Sequence, residues 1–233
     1  MKVSLLVRFF KDEQHAVNFL NNGEIYMNSL LCFKKYEETE ENNIADPFEA
    51  TRTLRQPSSI SNIKVSSGPF SFEIKPEDLA GPLVFGSTEY DFCKVYCFSI
   101  LEMDAGNTYD RVIKIRASNL FEFDRVDFGD TCVVIVQPKE FIDRVRRSKG
   151  HNNLAGKRVS YYEFNSHDGD IENPVFSKRS EFSHQKEFRI IARTDDKSEA
   201  AHVMHIGSLR DIAFMATKEN LKRDTFTLSV HEK

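Results

Sequence analysis

Short runs of β-branched and aromatic residues, bounded by Gly, Pro, Asn and Ser and seldom separated by a helical pattern, constrain this chain more than any other feature. Such runs occupy residues 3–10, 24–28, 70–74, 92–100, 111–115, 132–136, 158–164, 187–193, 202–206, 212–216 and 226–230, and their composition is that of sheet segments. Helical signals are fewer. Ala16, Val17, Phe19 and Leu20 follow Asp12, a natural N-cap, and stop at Asn21-Asn22-Gly23, where Gly23 suits the left-handed position past a helix end. Pro138 opens a second helix over residues 139–149 that Gly150 stops, and a shorter one is predicted over residues 29–36. Strands that outnumber helices without alternating with them exclude a doubly wound parallel sheet. They predict an α+β fold with mixed or antiparallel sheets and a few helices.

Residues 1–233 are expected to form a single compact domain. The Ser- and Pro-punctuated stretch at residues 56–68 reads as a mobile connection too short to link two domains. The core must rely on aromatic rings spread along the chain, because there are 20 Phe and 7 Tyr and no Trp. With 32 Lys+Arg against 36 Asp+Glu, the formal net charge of -4 argues against broad electrostatic binding to nucleic acid or anionic membrane. Arg8 interrupts the first apolar run too early for a signal-peptide core, and no apolar run approaches the roughly 18 residues of a bilayer span, so a cytoplasmic, non-membrane protein is expected. Cys32, Cys93, Cys97 and Cys132 all lie in apolar or strand-like surroundings and are read as reduced core thiols. Glu37, Glu38, Glu40 and Glu41 predict a solvated acidic loop.

Phosphate-loop, dinucleotide-fingerprint, nucleophile-elbow and zinc spacings are all absent from the sequence. What remains is a small set of polar residues planted in segments that otherwise read as buried strands. Arg8, among Leu and Phe, needs an anion or a carbonyl to offset its desolvation unless it reaches water at a strand edge. Ser99 ends the run Val95-Tyr96-Cys97-Phe98-Ser99, where a lone serine is usually structural. In a strand starting near residue 186, Gln185 and Glu187 project to one side while Phe188 and Ile190 face the core. The plainer reading of Glu187 is an exposed ion pair with Arg189, worth little.

The order of a strand carrying Arg8, a helix, Gly23-x-Ile25-Tyr26-x-Asn28-Ser29, Cys97-Phe98-Ser99 in a central strand and Gln185-x-Glu187 entering a late strand resembles the arginine–serine–glutamate arrangement of ADP-ribosyltransferases. Asp46-Pro47-Phe48-Glu49, Cys97-Phe98-Ser99 and Phe176-Ser177-Lys178 followed by Gln185-Lys186-Glu187-Phe188-Arg189 are similar to an uncharacterised bacterial family. Its members carry Asn-Asp-Pro-Phe-Glu, a Cys-Phe-Ser strand and Trp-x-x-Glu-Lys-Glu-x-Arg, and the similarity spans about residues 5–192. Three positions depart from that pattern. Phe182 stands where Trp is frequent, Gln185 replaces the first Glu, and Ala45 replaces the Asn before Asp46.

The resemblance implies a split sheet and an NAD-dependent ADP-ribosyltransferase of the toxin or defence-effector kind, with NAD as substrate, an unidentified macromolecular acceptor and no metal. It implies that Glu187 stabilises the oxocarbenium-like transition state, Ser99 braces Glu187 and the nicotinamide end, and Arg8 holds a phosphate or ribose. Tyr26 or Phe10 would stack on a ring, Gln185 would orient an acceptor other than arginine, and the acidic loop before Asp46 would close over the substrate. Two other readings compete. One is a non-enzymatic module binding protein or nucleic acid, phage- or defence-related, through a surface that includes Arg144, Arg146, Arg147 and Lys149. The other is a metal-dependent nuclease built from Asp46, Glu49, Asp168 and Asp170.

Overall fold

A computed structural model describes residues 2–36, 46–104, 112–148, 153–194 and 197–229. In chain order the elements are β1 (Lys2–Phe10), α1 (Glu13–Asn22), β2 (Glu24–Ser29), α2 (Leu30–Tyr36), β3 (Thr51–Arg55), β4 (Ile63–Ser67), β5 (Phe70–Ile74), β6 (Leu83–Gly86) and β7 (Lys94–Asp104). There follow β8 (Val112–Arg116), β9 (Thr131–Ile135), α3 (Pro138–Arg147), β10 (Leu154–Arg158), β11 (Ser160–Tyr162), β12 (Gly169–Asp170), β13 (Ser177–Arg179), β14 (Glu187–Ala192), β15 (His202–His205), β16 (Ala213–Thr217), α4 (Lys218–Arg223) and β17 (Thr225–Ser229). The expected α+β class holds: the strands are mostly antiparallel, the helices few.

The main sheet runs β10-β14-β7-β1-β9-β16, and every neighbouring pair in it is antiparallel. Alternation along these strands sorts their side chains onto two faces. On one face Leu6, Tyr96, Phe98, Ile100, Val133, Ile135 and Ile190 pack beneath α1 and α3. Phe19 of α1 is the hub of that layer, with its ring centroid 5.7 Å from Phe10, 5.9 Å from Tyr96, 6.1 Å from Phe141 and 6.2 Å from Phe98. On the other face there are two separate apolar clusters. Leu5, Val7, Phe9, Leu101 and Val134 meet Phe121 and Phe123, whereas Val95 and Ile191 meet Leu30, Ala50, Val175 and Phe176. The residues of β7 and β14 between those two clusters are polar.

The sheet also opens at this place. One edge of β7 is paired with β1 from Lys2↔Asp104 to Val7↔Ser99, and with β2 only at Asn28↔Val95 and Ser29↔Lys94. Between these contacts β1 and β2 diverge, and α1 bridges them on the opposite face. The turn that makes this possible is Gly23, at φ 59°, whose amide donates to the Phe19 carbonyl at 3.0 Å; Asp12 caps the other end of α1 by accepting from the Gln14 amide at 2.7 Å.

Several local expectations need correction. Part of the stretch read as a mobile connection, residues 63–67, is β4, which forms a hairpin with β5 through pairs such as Lys64↔Glu73 and Val65↔Phe72. Its side chains are largely exposed, so it shows no apolar alternation that would reveal it. The strand expected over residues 158–164 is present as the shorter β11, and the exposed edge strand β10 just before it shows no apolar alternation that would reveal it. The acidic run at residues 37–41, and with it Ala45, Arg111, Lys149 and Gly150, falls outside the described residues. No helix among the described residues is long and apolar enough to cross a membrane.

A Cβ on Gly23 would stand 2.3 Å from the Gly207 carbonyl oxygen, so the backbone there would have to shift. Gly23→Ala is therefore expected to lose more than the left-handed penalty alone, at least about 2 kcal/mol, measured by chemical denaturation. A loss below about 0.5 kcal/mol would mean that the 206–207 segment moves aside freely.

Candidate active site

The polar stretch is built from register. Glu187 lies opposite Ser99, Arg189 opposite Cys97 and Ile191 opposite Val95. The Ile100 amide donates to the Lys186 carbonyl at 2.8 Å, which makes Ser99 and Glu187 a pair without mutual backbone bonds, the closest side-chain approach an antiparallel ladder provides. The Glu187 amide, free of β7, donates instead to the Tyr161 hydroxyl at 2.9 Å. Lys186 sits in the left-handed region at φ 44° and ends a tight turn over Ser180–Gln185. That reversal, rather than the continuous strand expected, places Gln185 beside Glu187.

Glu187 and Arg189 do not form the exposed pair expected from spacing. Both are buried, Arg189 at 1% exposure, within a quartet that includes Glu49 and Lys178. Arg189 grips Glu49 in a fork, with Nη1 and Nη2 each 3.0 Å from a carboxylate oxygen, and donates through Nε to Glu187 Oε1 at 2.7 Å and through Nη1 to the Val175 carbonyl at 2.7 Å. Lys178 Nζ lies 3.1 Å from Glu187 Oε2 and 3.3 Å from Glu49 Oε1, and donates to Gln185 Oε1 at 2.9 Å. Two cations and two carboxylates leave the quartet neutral, which is what permits burial.

Glu49 is delivered by Asp46-Pro47-Phe48-Glu49. Asp46 accepts from the Phe48 amide at 2.9 Å and from Arg179 Nε at 2.8 Å, and the Arg179 guanidinium lies over the rings of Phe48, Phe182 and Phe164 at 4.9, 5.3 and 5.6 Å. Burial favours protonation of Glu187, but Arg189 and Lys178 outweigh it and hold the carboxyl well below its usual range. Burial likewise disfavours the Lys178 ammonium, yet Glu187 and Glu49 keep its pKa above the ordinary lysine value. Burial, helped by Glu187, pushes the Cys97 thiol up to about 12, and burial pushes the Tyr161 phenol up to about 12. At neutral pH the site thus holds an ionised carboxylate beside a neutral thiol and a neutral phenol.

A cavity of about 390 Å³ opens over these residues, where β1 and β2 diverge. Its floor is Ser99, Cys97 and Glu187, with Gln185, Lys178, Glu49 and Arg189 to one side and Val7, Phe9, Phe128, Leu30 and Phe33 as apolar walls; Lys11, Asp127 and Asn28 also line it. A small number of polar groups converging in an otherwise apolar concavity is the pattern of a small-molecule site.

Of the residues expected from sequence, Ser99, Glu187 and Gln185 come together. Arg8 reaches the same cavity, but its chain leaves β1 on the helix-covered face. Its Nη1 donates at 2.8 Å to the Cys97 carbonyl, in the stretch of β7 edge that neither β1 nor β2 covers, and its guanidinium lies 4.5 Å from the Tyr96 ring. Arg8 Nε is buried without a hydrogen-bond partner. Phe10 and Tyr26 do not line the cavity. Phe10 packs on Phe19 in the helix-side core, and Tyr26 is 54% exposed on β2 opposite Val203.

Lys178 and Arg189 are not singled out as site residues by the sequence, and Glu49 is named there only as an acid of the nuclease reading. Their detectable signal is charge beside long apolar neighbours, as in Val175-Phe176-Ser177-Lys178 and Phe188-Arg189-Ile190. The acids of the nuclease reading do not converge: Asp46 and Glu49 are occupied as above, while Asp168 accepts from Ser59 at 2.7 Å and Asp170 from Thr53 at 2.6 Å beside β3. The basic end of α3 is offset by acids, Arg144 by Glu140 and Asp211, Arg147 by Glu140 and Arg146 by Asp143. Comparison with protein-family models, with curated proteins and with solved structures finds no match.

Because the folded-state pKa of Glu187 is depressed, its contribution to stability is full above about pH 5 and is lost as acidification approaches the folded value. Glu187→Gln is expected to cost about 3–5 kcal/mol at pH 7, by stranding cationic charge, and to flatten the stability loss below about pH 5. Denaturant titrations at several pH values would show parallel curves for the two proteins if the quartet contributed nothing.

Proposed function

We propose that this protein is an NAD-dependent ADP-ribosyltransferase-like enzyme whose active site is the cavity over Ser99 and Glu187. The observation that carries the reading is the placement of these two side chains directly opposite one another, at the point where the sheet splits and beside Arg8 from the first strand. The divergence of β1 and β2 supports the split sheet implied by the resemblance, and the concavity it creates has apolar walls suited to an aromatic amide.

In this reading the nicotinamide–ribose bond of NAD breaks with its electron pair leaving on the nicotinamide nitrogen, and positive charge develops at the ribose C1 and ring oxygen. An acceptor nucleophile then bonds to C1 and releases its proton. Glu187, ionised at neutral pH, accepts from a ribose hydroxyl and stabilises the cation. Its two oxygens are held by Arg189 and Lys178, Cys97 also hydrogen-bonds to the carboxylate, and the residue lines the cavity. Ser99 braces that carboxylate, the Arg8 guanidinium is placed for a phosphate or ribose oxygen, and Gln185 stands beside Glu187 where an acceptor would approach.

The test is purified protein with NAD and a cell lysate, following nicotinamide release and macromolecule-bound ADP-ribose. Wild type is expected to release nicotinamide. Glu187→Gln should lose about 100-fold or more of that activity and Ser99→Ala about 10-fold, with circular dichroism confirming the folded fraction of each. Absence of release by wild type, with no NAD binding by calorimetry, would overturn the reading in favour of a non-enzymatic binding module.

A further inference from the structure

We infer that Lys178 is a positioning residue of this site: its ammonium ties the Glu187 carboxylate to the Gln185 amide and fixes both relative to the cavity. The inference rests on the transferase reading. Lys178 is 5% exposed, and Gln185 Oε1, Glu187 Oε2 and Glu49 Oε1 stand 2.9, 3.1 and 3.3 Å from its Nζ. The first is a hydrogen bond from the ammonium, and the two carboxylates flank it as ion pairs. The Phe182 ring, 5.3 Å away, closes another side. Lys178 borders the cavity, but its charge is met by these protein groups, and it acts through them. Because it can only donate, it also dictates which way the Gln185 amide turns: the oxygen faces the lysine and the NH2 group faces away.

Two roles for this lysine separate by sign. As a charge alone, a cation near a developing oxocarbenium ion opposes it, so removing the cation would raise the rate. As a tether, its removal loosens the hold on one oxygen of Glu187 and on the Gln185 amide oxygen, so the rate would fall. The tether prevails because Glu49 and Glu187 already neutralise Lys178 and Arg189, leaving little net field from the lysine, whereas its bonds to Gln185 and Glu187 Oε2 are direct. The groups facing Glu187 are Arg189 from β14, Lys178 from β13, Glu49 from the segment before β3, Cys97 from β7 and Tyr161 from β11. Lys178 is one of two cations that keep the carboxyl ionised, so its loss also moves the acid limb of the pH profile.

The experiment measures kcat and KM for NAD against pH in wild type, Lys178→Met and the double variant Lys178→Met/Glu49→Gln, whose buried charges again balance. Both variants are expected to lose about tenfold or more in kcat with KM within about threefold, and to shift the acid limb of kcat up by about one pH unit. Lys178→Arg should restore part of the rate. An unchanged or raised kcat, or a loss matching only the folded fraction with no shift of the acid limb, would overturn the inference. So would failure of the double variant to fold, since the lysine would then be a structural ion. Wild type that cleaves NAD while the variants match it sinks this inference alone; wild type that neither binds nor cleaves NAD sinks the transferase reading and this with it.

Discussion

Two carboxylates and two cations buried together beneath the cavity form the interaction on which the rest of the structure depends. None of Glu49, Lys178, Glu187 and Arg189 is more than 5% exposed, and an isolated ion at such a depth would cost several kcal/mol. Their burial is tolerable because their charges balance. The quartet therefore requires the segment before β3, the short strand β13 and the long strand β14 to arrive at one place. A local failure in any of these segments leaves a charge without its partners. Arg179, stacked over three aromatic rings and bound to Asp46, repeats the device one shell further out.

The cavity exists because the sheet is discontinuous on one face. Two apolar clusters cover its ends, and between them β7 has lost β1 and barely engages β2. An unpaired carbonyl in such a gap would be costly if buried. Arg8 meets that requirement by donating to the Cys97 carbonyl while its guanidinium rests on Tyr96. The arginine thereby acts as a structural wedge in the opening as well as a cation at its edge, and both roles follow from its place one residue beyond the last β1–β7 pair.

The electrostatics of the floor are those of a site prepared in advance. Glu187 is ionised without relying on solvent, because its counter-charges are fixed in the protein. Such preorganisation is what allows a carboxylate to stabilise a developing cation without rearranging as the charge forms. The same counter-charges limit its strength. Lys178 and Arg189 would oppose any cation near Glu187 were they not balanced by Glu49 together with Glu187, and in the proposed reaction this would give Glu49 a part although it holds no reacting atom.

Much of the fold is legible in the sequence. The α+β class, the caps of α1 at Asp12 and Gly23, and most of the long strands follow from local patterns, because a strand packed on the core must carry apolar residues at its inward positions. Strands that lie on the surface, such as β4 and β10, carry no such pattern and were hidden. Within the site, the order of Arg8, Ser99 and Glu187 could be seen. Phe10 and Tyr26, to which the resemblance gives a stacking role, face elsewhere. The sequence by itself determined which residues are polar in apolar surroundings, and so which must find partners. Only the tertiary structure decided which partners they find. Glu49 and Arg189 lie 140 positions apart, and no local rule of spacing can express a contact that exists because buried charges must balance.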